Sequence, residues 1–217
     1  MLMDDLTLMQ KLAVWALPVI FAITLHEAAH AWAASKLGDP TARMLGRVTL
    51  NPIKHIDPIG TIILPGVLLA LGGFLFGWAK AVPVTTRNFK RPRKDMAWVA
   101  IAGPAANLLM AILWAGVLKV GLLLQGNFAG AQFLVYTGVA GISINLILMI
   151  LNLLPLPPLD GSRVLSAFLP PKMAWQYNRI EPFGFFILLG LLLFGILGPI
   201  LMVPYSALLG VFYDLVQ

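Results

Sequence analysis

Residues 12–30 read LAVWALPVIFAITLHEAAH, an apolar run from Leu12 to Leu25 that passes without a break into His26-Glu27-Ala28-Ala29-His30. Such a run partitions into hydrocarbon, and residues four apart on a helix share a face, so His26 and His30 present two imidazoles side by side. Glu27 stands next to them, placed to act on a water molecule, and H-E-x-x-H on a helix has metal-ligand spacing. Three ionisable groups in an apolar segment are costly to desolvate and imply a partner or a water-filled cavity. The run is preceded by Asp4 and Asp5 rather than a basic cluster and lacks a small-residue cleavage site, so it does not read as a signal peptide.

The whole chain has the same character. Of 217 residues, 59% are hydrophobic and 11% charged, whereas a soluble domain carries roughly a quarter charged residues. The apolar excess therefore faces a lipid bilayer. There is no cysteine, which excludes disulfides and thiolate ligands, so a metal must use His, Asp or Glu. The net charge of +6 does not point to nucleic acid, because the basic residues fall in short loops between apolar runs and no binding signature accompanies them.

Segments near or above the roughly 20 residues needed to span hydrocarbon occur at about 8–37, 58–78, 96–125, 131–154 and 182–213. Thirteen of the 15 Lys and Arg lie in three connections, 36–57, 80–95 and 155–181, and the 126–130 turn has none. The positive-inside rule places all three connections in the cytoplasm. Segments 96–125 and 131–154 then form a hairpin, and 58–78, flanked by basic loops on both sides, must leave and return on one side. Pro58, Pro65-Gly66 and Gly72-Gly73 supply the breaks for such a re-entrant path, with a full crossing as the alternative. Alternating, Val-rich flanks at 46–50 and 78–84 read as two short strands. The final run is broken at Gly198-Pro199. The expected fold is an all-α polytopic membrane protein in one domain, 1–217. It has three core helices, a re-entrant element over about 46–84 with short β-strands, and a C-terminal membrane segment or hairpin.

Two histidines leave a catalytic zinc short of the usual three protein ligands. His55, Asp57 and Asp160 are the main candidates for the third. Asp160 follows a proline-interrupted stretch, 155–158, able to carry it to the depth of His26 and His30. His55 and Asp57, two apart before Pro58, suit loop capping better.

With these residues in view, the chain resembles the site-2 protease family of intramembrane zinc metalloproteases. H-E-x-x-H at 26–30, G-P-x-x-N at Gly103 to Asn107 and N-x-x-P-x-P-x-L-D-G at Asn152 to Gly161 match in order and span about residues 8–161. The resemblance implies that His26, His30 and Asp160 ligate one Zn2+ and that Glu27 is the general base. It also implies a sheet-like re-entrant element. Unlike longer relatives, the chain shows no PDZ-type or nucleotide-binding domain, so substrate filtering by such domains is not expected.

Asn152 is the candidate donor to a developing oxyanion, with an interhelical hydrogen bond as its alternative role. Gly103 and Asn107 are assigned first to close helix packing, with substrate contact by Asn107 second; Asn145 and Ser143 are assigned to structure. Arg163 is expected to meet a carboxylate or a headgroup, and the Lys90 to Lys94 run to anchor on anionic lipid. The expected partners are single-pass membrane substrates and the bilayer. The expected reaction is peptide hydrolysis in the membrane, with Glu27 as proton carrier and the site nearer the cytoplasm. A metal or proton transporter would repeat acidic groups over several helices, and this chain has only Glu27 and Glu181 as glutamates. A non-catalytic scaffold would be expected to have lost Glu27 or a ligand, and none is lost.

Overall fold

A computed structural model of the chain describes residues 3, 5–63 and 79–216. Its elements are α1 (Leu8–Lys36), α2 (Thr41–Met44), α3 (Pro92–Leu123), α4 (Ala131–Leu153), α5 (Asp160–Phe168), α6 (Pro171–Asn178), α7 (Gly184–Leu193) and α8 (Leu197–Val216). Short 3-10 turns lie at Pro52–His55, Thr86–Asn88 and Glu181–Phe183, and a π-helical turn at Pro58–Ile63. Four helices, α1, α3, α4 and α8, are long and apolar enough to cross a membrane, as a multi-pass membrane protein requires.

Local signals mark both ends of α1 and the start of α3. Thr7 opens α1 with a reciprocal capping box to Gln10. Gly38, at φ 109°, closes it, and the Asp39 N–H returns to the Ala34 carbonyl at 2.9 Å. Pro92 occupies the first turn of α3, where Asp95 accepts the Arg91 N–H at 2.8 Å, so this helix starts four residues before the apolar run.

α3 and α4 form the central hairpin, with α1 against both and α8 against the outer part of α4. The hairpin is close because its contact face is small. A Cβ on Gly138 would stand 2.8 Å from the Leu118 backbone, and Gly141 lies against the Trp114 ring. Lipid gives helices no hydrophobic reason to associate, so close backbone approach supplies the attraction instead. The core is completed by Ala111, Trp114, Leu118, Ile142 and Leu146, with Phe212 of α8.

Three expectations are corrected. Neither strand is present among the described residues. At 46–50 the Gly46 and Arg47 N–H groups turn back to the carbonyls of Arg43 and Ala42, so the stretch extends the turn after α2. Residues 79–85 carry no regular secondary structure, and the Arg47 side chain, not a neighbouring strand, takes the carbonyls of Lys80 and Ala81. The C-terminal run breaks at Gly195, φ 70°, and not at Gly198-Pro199. Pro199 sits in the first turn of α8, where its missing N–H has no intrahelical partner to lose. The 155–181 connection carries helices α5 and α6. The bulk of the 58–78 insertion lies outside the described residues.

Candidate metal centre

The two histidines project from α1, ten and six residues before its end, about 15 and 9 Å along the axis at 1.5 Å per residue. Both are buried, and their Nε2 atoms lie 3.0 Å apart. Asp160, the first residue of α5, brings Oδ2 to 3.3 Å from Nε2 of His26 and 3.2 Å from Nε2 of His30. Pro155 to Leu159 fold the chain back from the end of α4 to make this possible, with the Pro157–Pro158 peptide cis. Among the described residues this trio is the group of His, Asp and Glu side chains able to hold a metal ion.

The second nitrogen of each ring shows what the first is for. His26 Nδ1 lies 2.6 Å from Asn107 Oδ1, and His30 Nδ1 lies 2.7 Å from the Val99 carbonyl. Both partners are acceptors: Asn107 uses its Nδ2 toward the Ala22 carbonyl at 3.2 Å and Asn145 Oδ1 at 2.9 Å, which turns its oxygen to His26. Each imidazole therefore donates through Nδ1 and points a lone pair inward through Nε2. Asp160 Oδ2 is buried without a hydrogen-bond donor. Three atoms able to offer lone pairs converge, an arrangement that a cation relieves. Their spacing also fits, since tetrahedral zinc with bonds near 2.05 Å holds its ligands about 3.3 Å apart.

The backing of the site comes from α3, which sets Val99, Gly103 and Asn107 on one face at intervals of four. Gly103 makes room for the rings: a Cβ there would overlap His30 Nε2. α5 is held at both ends. At its start, Gly161 lies against the Leu153 and Leu154 carbonyls. At its end, Arg93 Nη2 donates to the Ser166, Ala167 and Leu169 carbonyls, a cation on the negative end of a helix. Arg163 pairs with Glu181 at 2.7 Å, tying α5 to the segment before α7.

Glu27 is part-buried, and its Oε2 accepts the Val82 N–H at 3.0 Å. The stretch that carries Val82 is fixed from behind: Arg47, 6% exposed, donates to the Lys80 and Ala81 carbonyls, and the Lys80 N–H donates to the His55 carbonyl at 3.0 Å.

The remaining expectations sort by geometry. Asn107 is fully buried, with its amide engaged by His26, the Ala22 carbonyl and Asn145. Asn152 donates to the Leu148 carbonyl at 2.9 Å, within its own helix. His55 reaches the Thr49 carbonyl, and Asp57 accepts the Ile59 and Gly60 N–H groups, so both cap the loop as expected. In the basic run, Arg93 turns inward to α5 and Arg91 pairs with Asp95 at 3.5 Å, which leaves less of it for lipid. Composition gave no signal for Arg47, Arg93 or the Val99 carbonyl.

No family model and no solved structure matches the chain. Among curated proteins, "Putative zinc metalloprotease YwhC" of Bacillus subtilis is 41% identical over 175 residues, covering 79% of this chain and 76% of its own. "Putative zinc metalloprotease Rip2" of Mycolicibacterium smegmatis is 33% identical over 175 residues, 80% of this chain and 64% of its own. The protein of that name from Mycobacterium tuberculosis H37Rv is also 33% identical, with the same coverage. The chain thus spans somewhat under two thirds of the mycobacterial relatives. With relatives so named and a His-His-Asp trio shaped for zinc, the chain belongs to the site-2 protease family of zinc metalloproteases.

Proposed function

We propose that the protein is an intramembrane endopeptidase, hydrolysing peptide bonds within or beside the spanning segments of single-pass membrane proteins. The observation that carries this reading is Glu27, whose carboxylate stands on the helix that supplies two of the three metal ligands and is oriented by the Val82 N–H. His26, His30 and Asp160 would hold a zinc ion, which when bound would supply Lewis acidity toward the scissile carbonyl. Glu27 takes the proton of the attacking water and returns it to the leaving amine. Asn152 has a second Nδ2 hydrogen beyond the one given to Leu148 and is the proposed donor to the developing oxyanion.

A helical substrate has its carbonyls engaged within the helix, so the cleaved segment must unwind. The 79–85 stretch, which forms no helix and brings Val82 to Glu27, is the proposed place to receive it by strand addition.

The site is proposed to open toward the cytoplasm. Supporting this, the three basic connections meet at one end of the bundle. Asp39 accepts the Thr85 N–H and Asn88 Nδ2 at 2.7 Å each, and Arg93 reaches the end of α5. The re-entrant reading of 58–78 is supported by the bond between Lys80 and His55, because the segment's two flanks touch.

Co-expression of a tagged single-pass substrate with wild type and with Glu27→Gln tests the assignment. Cleavage by wild type and its loss in Glu27→Gln, with zinc still bound, is expected. Equal cleavage by both would remove Glu27 from the role of base.

A further inference from the structure

Asn145 lies in the middle of α4, one helix beyond the one that touches His26. It is fully buried, as is Asn107, so neither amide can turn to water. Asn145 Nδ2 donates to the Gly141 carbonyl at 2.9 Å, which fixes which end of its amide points toward α3. Its Oδ1 then accepts one Nδ2 hydrogen of Asn107, the Ala22 carbonyl accepts the other, and Asn107 Oδ1 is left facing His26 Nδ1 at 2.6 Å. The order of donors and acceptors runs in one direction across three helices: His26 to Asn107, Asn107 to Asn145, Asn145 to Gly141. Reversing any amide would set donor against donor or acceptor against acceptor at a buried site.

We propose that Asn145 is a positioning residue of the metal centre, acting through Asn107 to hold His26 in the form whose Nε2 lone pair faces the metal. It rests on the zinc reading of His26, His30 and Asp160. By locking the Asn107 amide, Asn145 sets the ring's tautomer and its rotation before the metal arrives. The link also joins α1, α3 and α4 at the depth of the site, so the geometry of a ligand on α1 depends on a residue of α4 that touches neither metal nor substrate.

The test is zinc affinity of the purified full chain in detergent, measured by chelator competition, for wild type, His26→Ala, Asn107→Ala, Asn145→Leu and the double variant. Outer partners of metal ligands typically cost 10- to 100-fold in affinity when removed. Asn107→Ala is expected within that range and Asn145→Leu at about its lower end. A residue acting only through Asn107 gives no further loss in the Asn107→Ala background. Ser143→Ala removes a part-buried bond from the same helix, accepted from the Tyr205 hydroxyl at 3.0 Å, and is expected to leave zinc affinity unchanged. Should Asn145→Leu accumulate poorly, Asn145→Ser, too short to reach Asn107, gives the same comparison. Affinity within twofold of wild type in the Asn145 variant, or an equal loss with and without Asn107, overturns the proposal. Wild-type zinc binding that survives His26→Ala overturns the underlying metal reading as well.

Discussion

Gly103 of α3 and His30 of α1 occupy adjoining space with no room for a methyl group between them: a Cβ on Gly103 would overlap His30 Nε2 and stand 2.6 Å from His26 Cε1. Alanine favours a helix over glycine by about 1 kcal/mol, so propensity alone argues for Ala at this position. The metal centre argues against it, because the rings or the two helices must move apart. Gly103→Ala is expected to keep its helical circular dichroism while zinc, measured by elemental analysis of the purified protein, falls to a small fraction of wild type.

Arg93 bears on Asp160 from the far end of the same short helix. Its guanidinium serves several carbonyls at once, which the point charge of a lysine does less well. Arg93→Ala frees the end of α5 and is expected to weaken zinc binding by up to about tenfold, no more than the loss typical of removing a direct partner of a metal ligand. Arg93→Lys should fall between the two, as chelator competition would show.

Arg47 stands behind the carboxylate that does the proposed proton transfer. It holds the Lys80 and Ala81 carbonyls, and the next residue's N–H orients Glu27. Small displacements of a catalytic group cost up to about 100-fold in rate. Arg47→Ala is therefore expected to slow cleavage by about 10- to 100-fold with zinc content unchanged. A parallel loss of zinc would mean that the 80–82 stretch supports the ligands as well.

What was legible beforehand followed from cost. His26, Glu27 and His30 are polar groups in an otherwise apolar segment, so their presence demanded a reason, and their spacing supplied it; Asp160 was legible from its place after the proline-interrupted 155–158 stretch and from the family resemblance. The hairpin of α3 and α4 was legible for the same cause, since its uncharged turn at 126–130 contrasts with the basic connections. Two strands were not, because alternation at 46–50 and 78–84 measures only which residues like a half-buried surface. In the folded chain Arg47, a side chain, satisfies the backbone that a neighbouring strand would have taken. The support of each ligand was also hidden: Val99 contributes a carbonyl that any residue has, and Asn145 sits in a helix where packing was an adequate account.

Asp39 ties the end of α1 to the 85–88 turn, accepting the Thr41 N–H and hydroxyl, the Thr85 N–H and Asn88 Nδ2. Burial works to raise its pKa, but these hydrogen bonds outweigh it, and the carboxyl lies below its ordinary value. A depressed pKa stabilises the fold above the unfolded-state value near 3.9, and the contribution is lost as pH falls through the lower folded value. Asp39→Ala removes these part-buried hydrogen bonds to a carboxylate and is expected to cost about 1–3 kcal/mol at pH 7. Thermal melts should show the gap between wild type and variant constant from pH 7 to about 5 and narrowing below about 4.

The contact between Lys80 and His55 makes a prediction about the whole topology. If the chain leaves after residue 57 and returns by residue 80 to the same place, reporters on either flank must lie on the same side of the membrane. Fusions after Lys54 and after Lys90 should both score cytoplasmic, and a fusion within 126–130, at the uncharged end of the hairpin, should score on the opposite side. Opposite scores at Lys54 and Lys90 would require 58–78 to cross. The hydrogen bond between its flanks could not then form in the membrane.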